Sequence, residues 1–307
     1  MKIILIAIMV NALWISSQAA ATMKVFACEP EWKALVEAIG GKHVNVYSAT
    51  SAFQDPHHIE ARPSLIAKVR QADLLVCTGA ELEIGWLPLL LRKSGNTTIQ
   101  QGEPGFFLAA SKVQTIEIPT KLDRSQGDVH ASGNPHVHWD PYRLLTIAQL
   151  LNQRLQKIDP QHTVDYAAQY EKFSADWQSA TQRWEAEASV LRGKKVIVYH
   201  KNWSYLLKWL GIEVVGDLEP KPGIPPTSSH LASLINVVKT EQPAFILMAN
   251  YQDDKGAQWL SQRTGVPVLE LPFTVGGNPE SDRLDTLYDD VLSTLTNHHY
   301  FIEEPVK

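Results

Sequence analysis

The chain predicts an α/β protein of two lobes, each with a mainly parallel sheet flanked by helices, the two joined by one long helix. Three observations predict it. Strand-like and helix-like segments alternate in two separate series, the pattern of parallel strands covered by crossover helices. Between the series lies a polar stretch whose apolar residues recur at helical spacing. The length, 307 residues, is generous for one core and comfortable for two.

The elements follow in order. Residues 1–21 read as a secretory signal peptide: Lys2 is the positive start, residues 3–15 are mostly apolar, and Ala19-Ala20-Ala21 offers small residues for cleavage. That apolar run is too short to span a membrane, and no later segment reaches about 18 uninterrupted apolar residues. A lipid-anchor reading of Val25-Phe26-Ala27-Cys28 is weak, because Lys24 separates that cysteine from the apolar run. In the first lobe, residues 24–28, 43–48 and 73–78 are expected as strands, and 31–39, 64–71 and 82–93 as helices. In the second, strands are expected near 196–199, 213–215, 245–248 and 268–272, with helices near 205–210, 231–240 and 257–264. Asp159-Pro160 starts the connecting helix and Gly193 stops it. Tyr166, Tyr170, Phe173, Trp177, Ala180, Trp184 and Leu191 make its apolar stripe, a packing surface within the chain, with a coiled-coil dimer as the competing use. About 30 residues at roughly 1.5 Å each would give a rod of about 45 Å. The expected layout is a leader at 1–21, an N-terminal metal-binding lobe at 22–158, the helix at 159–192 and a C-terminal metal-binding lobe at 193–307.

Composition narrows the function. The formal net charge of −5 leaves nothing basic enough for nucleic acid. The two cysteines, Cys28 and Cys77, each end a strand-like run. In an exported protein they form either a disulfide or a pair of buried thiols.

Four residues carry the chemistry. His57 follows Asp55-Pro56, His136 follows Asn134-Pro135, His200 ends the apolar run before it, and Asp282 precedes the last helix. Three imidazoles and one carboxylate suit the tetrahedral nitrogen and oxygen shell of Zn2+. His57, His200 and Asp282 come after expected strands, where open α/β sheets bind ligands. Pro56 and Pro135 fix the backbone just before two of the imidazoles and so stiffen those loops. The shell would draw His57 and His136 from the first lobe and His200 and Asp282 from the second. His58, His130 and His138 stand nearby with open roles, and Trp139 and Trp203 adjoin the candidate ligands.

These strings resemble those of the zinc-type, ZnuA-like solute-binding proteins of metal ABC importers. The resemblance is carried by Asp55-Pro56-His57 with Glu60 and Pro63, Asn134-Pro135-His136-Val137-His138-Trp139-Asp140-Pro141, Tyr199-His200-Lys201-Asn202-Trp203-Ser204-Tyr205 and Asp282-Arg283-Leu284. It covers essentially the whole chain after the leader, with the motifs in order and the long helix between the second and third. It implies two α/β lobes on a rigid spine helix, a metal held between them as transported cargo, and delivery to an inner-membrane permease. A periplasmic metallochaperone is a candidate loader, and a monomer is expected. His138 is an extra imidazole relative to that pattern, and the His/Asp-rich insert is reduced to residues 128–138. The expected cargo is Zn2+, because manganese members often place a carboxylate where His200 stands. The competing readings are a Mn2+ carrier of the same family, a secreted zinc hydrolase and a surface adhesin with structural zinc. No His-Glu-x-x-His segment supports the hydrolase. Residues 123–138 are expected to order when metal binds.

Overall fold

The computed structural model describes residues 22–120, 127 and 129–303. The expected leader therefore lies outside the described residues, as do 123–126 and 128 of the stretch expected to order on metal. Two four-stranded sheets form, and every strand pairing in them is parallel. The first contains β1 (Met23–Ala27), β2 (Val44–Ser48), β3 (Leu74–Cys77) and β4 (Phe106–Leu108), in spatial order β2-β1-β3-β4. The second repeats this as β6-β5-β7-β8, from β5 (Lys195–Val198), β6 (Glu213–Asp217), β7 (Phe245–Ala249) and β8 (Val268–Leu271). Helices cover both faces of such sheets, so central strands read as unbroken apolar runs. Leu74–Cys77 and Phe245–Ala249 are buried at every position for that reason.

Helices α1 (Pro30–Gly40), α2 (Pro63–Arg70) and α3 (Leu87–Ser94) belong to the first sheet. Helices α6 (Ser204–Leu210), α7 (Ser228–Glu241) and α8 (Lys255–Thr264) belong to the second. Between the sheets run α4 (Pro141–Ile158) and α5 (Thr163–Glu187), and α9 (Leu284–Glu303) packs back against α5. One apolar core includes residues from both sheets, α4, α5 and α9, from Val25 and Trp32 to Trp184, Tyr288 and Leu295. Smaller clusters lie on the outer faces, one under α2 and α3, the other under α7 and α8.

The spine helix is 25 residues long, about 37 Å at 1.5 Å per residue. It is shorter than expected because Pro160–His162 and Ala188–Leu191 are 3-10 turns. Its stripe packs within the chain: Tyr166, Trp177, Ala180, Trp184 and Leu191 are buried, with Tyr170 and Phe173 packed at the edge of the core. Helix α4 was not expected. Asp140 caps it, accepting from the backbone N–H of Tyr142 at 3.0 Å and of Arg143 at 2.9 Å, and Pro141 fills its first turn. Strand β4 was also passed over, being three residues long. The helix expected over 82–93 begins only at Leu87. Gly79, Ala80 and Glu81 all have positive φ, and Glu83 turns inward to accept from the N–H groups of Thr78 and Gly79.

Cys28 and Cys77 are joined by a disulfide with Cα atoms 4.8 Å apart. The two residues lie at the carboxyl ends of the neighbouring β1 and β3, and the Cys28 N–H donates to the Val76 carbonyl.

Candidate metal centre

Each candidate histidine is placed by a short polar device at the end of a strand or turn. After β2 the chain enters the loop Asp55-Pro56-His57, where Asp55 Oδ1 accepts from the His57 backbone N–H at 3.0 Å and faces its Nδ1 at 2.7 Å. Trp86 Nε1 donates to the Pro56 carbonyl and pins the loop from beneath. Burial alone would raise the Asp55 carboxyl, but hydrogen bonds from the His57 ring and backbone, with the nearby imidazole charge, hold it at about 2. An ionised Asp55 takes the Nδ1 proton of His57 as a hydrogen bond and leaves the lone pair on Nε2, the nitrogen that faces the other histidines.

His200 lies two residues past β5 and is built the same way. Its Nδ1 is 2.6 Å from Glu219 Oε2, and Glu219 follows β6. The same oxygen accepts from the Gly223 N–H at 2.9 Å, so the carboxylate is itself oriented. Again Nε2 remains for a ligand.

His136 differs from both. The turn into it requires Gly133, whose φ is +92° and where a Cβ would stand 2.6 Å from the Ile116 carbonyl. Asn134 then accepts from the His136 N–H and donates to the Lys201 carbonyl, tying the His136 loop to the second lobe. The His136 ring is 1% exposed, and neither ring nitrogen has a hydrogen-bond partner. Burial, followed by the charges of His57 and His200, pushes its pKa well below the ordinary imidazole value. A neutral, buried, unpartnered imidazole costs free energy unless something takes its lone pair.

The three come together. Ring nitrogens of His57, His136 and His200 all lie within 4.8 Å of one another. Their ring centroids are 5.7–6.1 Å apart and their planes nearly perpendicular. A cavity of about 220 Å3 adjoins His57 and His200, walled also by Asp55, Glu219 and Tyr251.

Asp282 is not brought to them. It is exposed, accepts from Thr286 Oγ1 at 3.0 Å, and borders a separate groove with α1 and α5 residues such as Glu37 and Arg183. The chain leaving β8 passes the histidines with Phe273, not with a carboxylate. The Phe273 ring meets His136 edge-on at 5.2 Å, and the Gly276–Ser281 turn then carries Asp282 away.

His138 also turns elsewhere. It is 1% exposed, with Nδ1 3.4 Å from Glu31 Oε1 and Nε2 3.4 Å from the Phe273 carbonyl. Burial pushes its pKa down, opposed by Glu31 and that carbonyl. His58 borders the cavity. His130 places its Nε2 3.3 Å from that of His57. Sequence reasoning passed over Glu219 and Phe273 and treated Asp55 only as part of a motif. The one available signal was a carboxylate just past a strand, as in Asp217-Leu218-Glu219.

Residues 25–298 match the family described as ZnuA, the periplasmic zinc-uptake complex component A. The chain belongs to this family. Members are substrate-binding components of metal ABC importers, exported proteins that deliver metal to a membrane permease and are not enzymes. Among curated relatives, the metal ABC transporter substrate-binding lipoprotein SloC of Streptococcus mutans is 22% identical over 78% of this chain and 77% of its own. The iron ABC transporter substrate-binding lipoprotein MtsA of Streptococcus pyogenes is 21% identical over 82% and 80%. Among solved structures, a ZnuA deletion mutant with zinc bound superposes with a TM-score of 0.74 at 21% identity, covering 90% of this chain and 98% of that one. The Cd-bound periplasmic metal-binding protein of Candidatus Liberibacter asiaticus gives 0.73 at 16% identity, covering 90% and 99%. These likenesses establish the two-lobed fold for this ZnuA-family chain.

Proposed function

We propose that the chain captures Zn2+ in the periplasm with His57, His136 and His200 and hands it to the permease of a zinc importer. The observation that carries this reading is the convergence of three imidazoles, one of them fully buried with both nitrogens unpartnered. Among the described residues, carboxylates meet these histidines behind the imidazoles, on the Nδ1 atoms of His57 and His200. An all-nitrogen face favours zinc over manganese, which prefers carboxylate and water oxygens. Asp55 and Glu219 raise the basicity of their imidazoles and fix their orientation, as outer carboxylates do around zinc. Asp282, exposed and outside the group of converging ring nitrogens, is left out of this proposed set. Export agrees with the Cys28–Cys77 disulfide, a bond that persists in oxidising compartments. The Cys28 sulfur is taken by that bond and does not serve as a lipid attachment point. The spine stripe is consumed inside the chain, which supports a monomer over a coiled-coil pair.

The test is metal analysis of protein purified without added metal, followed by direct competition between Zn2+ and Mn2+. Zinc is expected to displace manganese at equal concentrations. Preferential retention of manganese would overturn the zinc reading while leaving the site intact.

A further inference from the structure

The three histidines leave one corner of a tetrahedral shell unassigned, and among the described residues no carboxylate of the second lobe joins their group. We propose that His130 is the fourth ligand, completing an all-imidazole shell; the proposal rests on the three-histidine reading above. His130 Nε2 lies 3.3 Å from His57 Nε2. Two nitrogens bound to one zinc at about 2.0–2.1 Å and tetrahedral angles are about 3.3–3.4 Å apart. The pair thus stands at the spacing of two ligands sharing a cation. His57 contributes the correct atom, because Asp55 occupies its Nδ1.

The backbone around His130 is anchored at the site. Its carbonyl accepts from the Gly133 N–H, and the Ser132 backbone N–H and hydroxyl both donate to the Glu81 carboxylate, at 3.0 and 2.7 Å. Val129 borders a cavity shared with His200, so the segment runs along the face where His57 and His200 are reached. His130 meets the cluster through His57 and is not itself within the mutual 4.8 Å group. Taking the fourth corner requires its ring to swing toward the other two.

Charge argues in the same direction. Asp55 and Glu219 already place two negative charges against the imidazoles. With a divalent cation the assembly is neutral, and a neutral imidazole keeps it so. A third buried carboxylate would leave a net charge in a poorly hydrated place. On the other side of His136, Phe273 supplies an apolar wall.

The experiment loads the full mature chain with Zn2+ and counts its ligands by X-ray absorption at the zinc edge, alongside affinity from chelator competition. Wild type should show four imidazoles and no oxygen. H130A and H130Q should show three imidazoles and one oxygen, with affinity at least tenfold lower and an unchanged circular dichroism spectrum. Three imidazoles and an oxygen in wild type, with both variants within twofold of its affinity, would overturn the proposal. H136A separates the two readings: it should lose tight binding whatever the fate of His130. If H136A binds as wild type does, the three-histidine site itself fails, and the fourth ligand with it.

Discussion

On the proposed function, Asp55 and Glu219 control the cargo without touching it. Each holds one imidazole by Nδ1 at 2.6–2.7 Å and so decides which nitrogen faces the centre. Replacing Asp55 with Asn or Glu219 with Gln keeps the shape and weakens that hold. Zinc affinity should fall about 10- to 100-fold in each variant, as measured by calorimetry or competition. His136→Ala should abolish tight binding outright. Trp139 lies 5.0 Å from Trp203, and Trp203 packs on Phe273, which abuts His136. Zinc is therefore expected to change tryptophan emission, and His200→Ala should remove most of that response. At this scale the histidines were legible because proline fixes the backbone before two of them and a strand ends just before the third. The carboxylate was not legible. Twelve residues separate the end of β8 from α9, and no periodicity says which of them faces the site. Burial decided it: Phe273 is 3% exposed and faces His136, whereas Asp282 is exposed.

Among the elements, strands announced themselves through apolar runs and the spine through its stripe. Helix α4 was overlooked because Asp140-Pro141, its cap and first residue, sits at the tail of a motif that invited a metal reading. Its buried residues, Leu144, Ile147, Ala148, Leu151 and Leu155, keep helical spacing and could have revealed it. The disulfide is the element-level feature with the most direct consequence. It closes a loop with a sequence separation of 49 between β1 and β3. Loss of chain entropy in the unfolded state is worth about 2–4 kcal/mol for such loops. A double Cys28→Ser, Cys77→Ser variant should lower stability by that order in chemical denaturation. Its zinc stoichiometry should stay at one, since neither sulfur adjoins the histidines' ring contacts.

For the molecule as a whole, pH acts through two buried groups of opposite sign. Glu29 and Glu83 share a pocket in which burial, and for Glu29 the charge of Glu83, disfavours ionisation; Glu83 is pushed up to about 7. Between the ordinary glutamate value and 7, the folded chain binds more protons there than the unfolded chain, so stability falls as pH rises through that window. Glu83→Gln keeps an acceptor for the Thr78 and Gly79 N–H groups and removes the titration. It should gain about 1–3 kcal/mol at pH 8 and little at pH 4.5, read as the difference in melting temperature between the two. His136 and His138 act in reverse. Burial holds both neutral when folded, and stability from this source is lost as pH falls through the unfolded imidazole value near 6.5. Metal binding also requires unprotonated imidazoles, so the apparent zinc affinity should decline from pH 7 to pH 5 in a competition titration.

The hydrogen bonds that cross between the lobes beneath the histidines shape how cargo leaves. Thr274 donates to Glu31 at 2.6 Å, the Tyr288 hydroxyl to the His138 carbonyl at 2.7 Å, and the Tyr205 hydroxyl to the Asn134 carbonyl at 2.7 Å. Prising the halves apart would exchange each of these bonds for bonds to water, at a net cost of about 0.5–1.5 kcal/mol apiece, and would also expose the apolar core that both sheets share. The hinge behind the jaws is in effect glued. On the proposed function, escape of the ion is expected to proceed by peeling back individual histidine-bearing loops, so that the dwell time of the cargo is set at the rim.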